Sequence, residues 1–267
     1  MEQNCHQKSH NICPGCGFSR SWNIRRGHKR CKRCRKEWSP KFKINGFRAT
    51  PSVWKKVIKA FLWDKTGKRV ASSLNIERHL AHRMIHHLRE IMTRDIPKPF
   101  LGIVEIDETF VGGQWRNKPW SVRRFGTKRG HGTSKQAVMG LLHRESGCVI
   151  AELIPDLKHK TLLDVIKRNV HPESHLYTDG WTGYLPVSKI YKHSQTDHQS
   201  GIYVIGEVHT NGIESFWGYL KRRLKTTGGI RKSRFHLYVG EEVWRFNHRH
   251  LTLEQQTEKL YELLVAE

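Results

Sequence analysis

The sequence predicts a mixed α/β protein of the α+β kind, and three observations carry that expectation. Two Cys-x-x-Cys pairs stand near the start of the chain, at Cys13–Cys16 and Cys31–Cys34. A helical spacing of apolar residues then runs over 51–95. After Pro99 the period changes to strict alternation, and strand patterns and helical patterns follow one another from there on. The expected division is a cysteine-stapled ribbon over 1–50, a helical segment over 51–96, a sheet-and-helix core over 97–250 and a helical tail over 251–267.

Charge bounds the partners. Lys and Arg number 48 against 24 Asp and Glu, a formal charge of +24 with a pI near 10.1. That balance is extreme for an enzyme of small metabolites, and a polyanion, nucleic acid first, is the expected partner. A membrane surface is the rival. The chain has no run of about 18 apolar residues and no apolar signal-peptide core at its start. No membrane partner is therefore expected, and the expected place is the cytoplasm, at the nucleoid.

The first part is read from its cysteines. Of the six, Cys13, Cys16, Cys31 and Cys34 form two knuckles separated by fourteen residues. Cys5 and Cys148 are scattered, so this is no secreted disulfide framework. Two such knuckles complete a tetrahedral structural zinc site. Residues 1–50 hold thirteen Lys or Arg against two Glu. So short and charged a segment cannot build a core, and zinc binding is its expected folding energy.

In the second part, Val53, Val57, Phe61 and Leu62 predict one amphipathic helix, and Lys68–Leu74 a short one. A third, over Ile76–Met92, carries Leu80, Met84, Ile85 and Leu88. A short helix, a brief turn and a longer basic helix resemble a helix-turn-helix unit. The third helix would be the reader, exposing Arg78, His79, His82, Arg83, His86 and Arg89. The alternative is a plain helical linker, and Asn75 stands where many such turns have glycine.

In the third part, Gly102–Val111 sends Val104 and Ile106 to one face and Glu105 and Asp107 to the other. A strand this apolar belongs inside a sheet, so Asp107 needs a partner such as a cation. Glu105 reads as an edge or surface group, and Glu108 points away from Asp107. Gln114–Lys135 holds seven Lys or Arg and no acid, with Trp115, Trp120 and Phe125 between them. It reads equally as a phosphate-gripping loop, with Arg123, Arg124, Lys128 and Arg129 as its cations, or as a basic insertion.

Two strands follow, Ala137–Arg144 and Val149–Ile154, with Cys148 as a small core hydrophobe. A helix over Thr161–Val170 and a strand over His175–Thr178 come next, opening on Asp179. Tyr191–Val208 reads as a polar excursion. The helix His209–Leu224 buries Ile213, Phe216, Trp217, Leu220 and Leu224. Glu214, Gly218, Lys221 and Lys225 share a neighbouring strip, with Arg222 beside it. A carboxylate, an open position and two cations suit a metal next to a phosphodiester. Further helices are expected over Phe235–Phe246 and Leu253–Val265.

The element order matches an RNase H-like fold, a mixed sheet whose first and fourth strands lie side by side. There Asp107, Asp179 and Glu214 converge on one edge of the sheet. Clustered carboxylates can hold two Mg²⁺ ions roughly 3.5–4 Å apart for an in-line phosphoryl displacement. Asn211-x-x-Glu214 is also a capping-box pattern. Glu214 is the expected third metal ligand, since a carboxylate binds a hard dication more strongly than an amide carbonyl. Lys221, about 10 Å further along the helix, would grip a phosphate.

The stretches VEIDETFVGG, YTDGWTGY and HTNGIESFWGYLKRRL, with WRFNHR at Trp244–Arg249 and the cysteine ribbon, resemble a bacterial insertion-sequence DDE transposase. The likeness is to the insertion-sequence fifteen-ninety-five family, with its ISXO-type domain, and covers nearly the whole chain. It implies cutting and joining of double-stranded DNA at the element's terminal inverted repeats and in target DNA. Mg²⁺ would be the catalytic ion, with Mn²⁺ as a substitute; some members of that family place an asparagine in the third metal position, so the resemblance leaves Asn211 open beside Glu214. The joining of two ends implies a homo-oligomer on DNA. Two rival readings are a DNA-binding regulator without enzymatic activity and a stand-alone nuclease of the same fold.

Overall fold

A computed structural model of the chain describes residues 12–25, 28–38, 43–44, 46–112, 120–124, 135–179, 182–184, 186–196 and 209–266. The chain forms two compact units, Met1–Ile85 with Leu253–Glu267, and His86–Thr252.

In the first unit, β1 (Ser21–Asn23), β2 (Lys29–Cys31) and β3 (Glu37–Trp38) make a small antiparallel sheet. Arg30 pairs with Glu37 across it. The hairpin β4 (Lys43–Ile44) and β5 (Phe47–Arg48) follows. Helix α1 (Pro51–Leu62) starts where Thr50 accepts the Val53 N–H at 3.3 Å and Pro51 occupies a position whose N–H the helix does not use. It buries Trp54, Val57, Ile58 and Phe61. Helix α2 (Gly67–Leu74) is capped by Thr66 and ends on Asn75, in the left-handed region at φ 49°. Asparagine tolerates that conformation, so the turn needs no glycine. Helix α3 (Arg78–Arg94) begins two residues later than the spacing predicts. Glu77 accepts the His79 and Leu80 N–H groups at 2.7 and 2.8 Å and so caps it. Helix α8 (Leu253–Ala266), at the far end of the chain, returns to pack on α1. Lys55–Glu258 and Lys59–Glu254 pair across that seam.

The second unit is built on a five-stranded sheet. Its strands are β6 (Ile103–Val111), β7 (Gln136–His143), β8 (Val149–Ile154), β9 (His175–Asp179) and β10 (Lys192–Thr196). A four-residue helix, α4 (Trp120–Arg123), lies between β6 and β7. The sheet order is β10-β9-β6-β7-β8. β7 runs antiparallel to both β6 and β8, while β9 is parallel to β6 and β10 to β9. First and fourth strands are neighbours, and this topology is RNase H-like. The fifth strand, β10, corrects the expected polar excursion: its Lys-His-Ser-Gln-Thr sequence lacks the apolar run that marks a buried strand.

The pleat sorts the faces. Val104 and Ile106 join Leu162, Val165 and Ile166 of α5 (His159–Asn169) on one side. Val138, Leu142 and Val149 meet α6 (Asn211–Thr226) and α7 (Phe235–Asn247) on the other. Arg223 and Tyr219 of α6 both bond Glu242 of α7, at 2.9 and 2.8 Å. On edge strand β8, the Asn247 amide accepts the Val149 N–H and donates to the Val149 carbonyl. That side chain takes the place of a neighbouring strand there.

Candidate active site

Asp107 stands on β6 opposite Gly140 of β7. The parallel register of β6 with β9 pairs Glu105 with Tyr177, and the same offset continued leads from Asp107 to Asp179. Both acids therefore point to the α6 face. Glu214 lies in the first turn of α6 and is exposed. Burial raises the Asp107 pKa first, and the nearby charges of Asp179 and Glu214 add to it, to about 6. The Trp217 indole N–H donates to Asp107 at 2.9 Å and opposes that rise.

Gly140 makes this possible. A Cβ there would lie 2.5 Å from the Trp217 ring, so only glycine lets the indole pack this closely on the sheet and reach Asp107. Trp217 was legible as a core residue, but its indole N–H role was not. Glu108 points to the other face, where it accepts a hydrogen bond from Tyr184. Burial and the charges of Asp107 and Asp179 push its pKa up to about 8.

Helix α6 departs from the sequence reading at its start. Its cap is Thr210, whose carbonyl accepts the Glu214 N–H at 3.1 Å. Asn211 is thus the first helical residue, and the capping box does not form. The carboxylate that serves the helix end is Glu105, which accepts the Ile213 N–H at 3.0 Å. Glu105 is 1% exposed. It pairs with Arg144 and is no edge group.

The basic residues are less uniform. Lys221, Arg222 and Lys225 are exposed on α6, and Arg123 and Arg124 are exposed beside Trp120, itself 69% exposed. Arg83 is exposed on α3, with its guanidinium 5.0 Å from the Phe47 ring centre. Lys128 and Arg129 lie outside the described residues. Arg89 does not face outward: it pairs with Glu241 at 2.7 Å and covers the Tyr238 ring.

The four cysteines are brought together, all four sulfurs lying within 4.8 Å of one another. Cys13 and Cys34 sulfurs are 3.5 Å apart, and Cys16 and Cys31 are 3.6 Å apart. Burial raises the Cys31 pKa, but backbone N–H groups of Cys34 and Arg33 and the neighbouring thiols outweigh it and bring it to about 6. Four such donors fit structural zinc. Among the described residues the three acids do not close so tightly. Their donor chemistry still fits a hard dication, because burial and the charges of Asp179 and Glu214 disfavour Asp107 as an anion.

Residues 99–247 match the family described as ISXO2-like transposase domain. The chain is similar to an uncharacterized transposase-like protein of Haemophilus influenzae, 37% identical over 101 residues, or 37% of this chain and 80% of that protein. It is also similar to an uncharacterized protein in transposable element ISH50 of Halobacterium salinarum, 32% identical over 165 residues, 57% of this chain and 54% of that one. The chain thus spans about half the length of the second relative. The catalytic core domain of BIV integrase superposes on it with a TM-score of 0.34 at 16% identity, over 53% of this chain and 81% of that one.

Proposed function

We propose, from the premise that the chain belongs to the ISXO2-like transposase family, that Asp107, Asp179 and Glu214 hold Mg²⁺ for cutting and joining DNA. The substrate is the terminal inverted repeats of the protein's own insertion sequence, together with target DNA. The observation that supports this most is electrostatic: the carboxylates of Asp179, on a second strand, and Glu214, on a helix, bear on Asp107, where burial already disfavours charge. The fold alone would not call for that arrangement, and a dication relieves it.

When bound, two such ions stabilise the charge that develops on the attacking and leaving oxygens of a phosphoryl displacement. The protein's own groups do the rest. Trp217 orients the Asp107 carboxylate through its N–H. Glu214 and Asn211 stand one turn apart on α6, with Asn211 as the weaker ligand. Lys221, Arg222, Lys225, Arg123 and Arg124 take phosphates, and Arg83 contacts DNA from the helix-turn-helix-like segment. Water displaces the 3′-oxygen of a phosphodiester, leaving a 5′-phosphate and a free 3′-hydroxyl. That hydroxyl then displaces a 3′-oxygen of target DNA, so one phosphodiester forms as one breaks. The zinc ribbon over 1–50 and the segment over 51–96 recognise the ends. The protein acts in the cytoplasm at the nucleoid; no described helix is long and apolar enough to cross a membrane.

The test is purified protein with Mg²⁺ or Mn²⁺, a labelled terminal-repeat duplex and a target plasmid. Joined products are expected, and Asp107→Asn, Asp179→Asn and Glu214→Gln should each lower cleavage at least a thousandfold while leaving DNA binding intact. Asn211→Ala should lower it less than Glu214→Gln. Cutting without joining points to a nuclease, and binding without cutting to a regulator. Light scattering on the DNA complex should show at least two chains per pair of ends.

A further inference from the structure

Each segment that carries a proposed Mg²⁺ ligand is tied to one guanidinium, that of Arg144. Arg144 follows β7 at the turn into β8. Its Nε and Nη2 donate to Glu105 Oε1 at 3.0 and 2.8 Å. Nη2 also donates to the His209 carbonyl at 2.8 Å and lies 3.0 Å from His209 Nδ1. The guanidinium carbon sits 4.7 Å from the centre of the Tyr177 ring. Glu105, Tyr177 and His209 each precede a site residue by two positions: Asp107, Asp179 and Asn211. On the two strands that spacing means the same face.

The other oxygen of Glu105 completes the arrangement. Oε2 accepts the Ile213 N–H at 3.0 Å. An unpaired N–H at the positive end of a helix is thereby satisfied by a buried carboxylate. The Thr210 side chain makes no capping bond, so Glu105 serves in its place. Gly212 permits the approach, since a Cβ there would lie 2.7 Å from Glu105 Oε2 and 3.1 Å from Leu142.

We infer that Arg144 and Glu105 are positioning residues. Together they fix the first turn of α6 against β6 and β9, so that Glu214 and Asn211 face Asp107 and Asp179. This rests on the proposed metal role of those residues. A guanidinium fork with defined donor directions sets geometry in a way a point charge cannot. Groups that hydrogen-bond a metal ligand change metal affinity by about 10–100-fold when lost, and groups that hold the ligand-bearing turn should act at the low end of that range.

The experiment uses the full-length, zinc-loaded protein with Mn²⁺ alone as the probe. Mn²⁺ affinity is read by electron paramagnetic resonance, and hydrogen exchange is followed over residues 211–217. Arg144→Lys and Glu105→Gln should weaken Mn²⁺ binding about tenfold and speed exchange in that turn by a similar factor. Breaking a buried pair can unfold a protein, so the double variant Glu105→Leu with Arg144→Met is measured too. It replaces both charges by apolar groups of similar size, which buried ion pairs commonly tolerate. In that folded variant the same tenfold loss is expected. Mn²⁺ affinity within twofold of the parent, whatever the exchange or the melting temperature, overturns the positioning role. Asp107→Asn separates the two readings: it should abolish Mn²⁺ binding with exchange in the turn unchanged. If it binds Mn²⁺ normally, the acidic site itself is wrong and the inference falls with it.

Discussion

Asp107 is held between two opposing influences, and single substitutions can weigh them. Burial and the charges of Asp179 and Glu214 raise its pKa, and the Trp217 N–H lowers it. Trp217→Phe withdraws the outer indole ring that lies over Gly140 and removes a hydrogen bond to a charged group, worth about 1.5–3 kcal/mol. Cleavage should fall at least tenfold and stability by on the order of 2 kcal/mol, measured by single-turnover rates and urea unfolding. Gly140→Ala should also destabilise the fold, by about 1–3 kcal/mol, since its Cβ meets the indole and glycine alone leaves that space. Glu108 gives the pH dependence. Its folded pKa, about 8, lies above the usual 4.5. The stability it contributes is therefore present below about pH 4.5 and is lost as the pH rises through 8. Glu108→Gln cannot ionise and still pairs with Tyr184. Relative to the parent it should gain on the order of 3 kcal/mol between pH 5 and pH 8.5, checked by urea unfolding at both.

Among the elements, what could be read from sequence was whatever depends on nearest neighbours along the chain. Strand β6 shows in the alternation of Val104 and Ile106 with Glu105 and Asp107. Helix α6 shows in the spacing of Ile213, Phe216, Trp217 and Leu220. The zinc ribbon shows in its paired thiols. What stayed hidden depends on partners far along the chain. Glu105 looks like a surface acid until Arg144, 39 positions on, and Ile213, 108 positions on, are placed against it. Asn211-x-x-Glu214 looks like a capping box because the local pattern cannot show that a distant carboxylate already serves the helix end. β10 escaped because an edge strand needs no apolar run. The ribbon is the element whose stability is most exposed to a single change. With few buried apolar groups, its fold should follow its metal. Removing zinc with a strong chelator, or Cys31→Ser, should open residues 12–38 to protease, with one zinc released per parent chain. Unchanged protection after zinc loss would mean that the ribbon holds without it.

For the molecule as a whole the dominant fact is the charge of +24, and it makes a quantitative statement about DNA. Each phosphate neutralised releases counterions, so the logarithm of affinity falls with the logarithm of salt with a slope of about −0.9 per contact. Lys221, Arg222 and Lys225 lie exposed along α6 beyond Glu214. If all three grip phosphates, changing them together to Gln should make the slope shallower by about 2.7. Arg83→Gln, on the helix-turn-helix-like segment, should change it by about 0.9 and weaken repeat DNA more than random DNA if that helix also reads bases. If the α6 cations contact only the backbone, their loss should weaken both DNAs alike. Asp107→Asn adds no phosphate contact and should leave the slope within experimental error. Fluorescence anisotropy between about 50 and 300 mM salt, with repeat and random duplexes in parallel, resolves all three arms. An unchanged slope in the α6 triple variant would remove that helix face from the DNA path, whatever the cleavage assay shows.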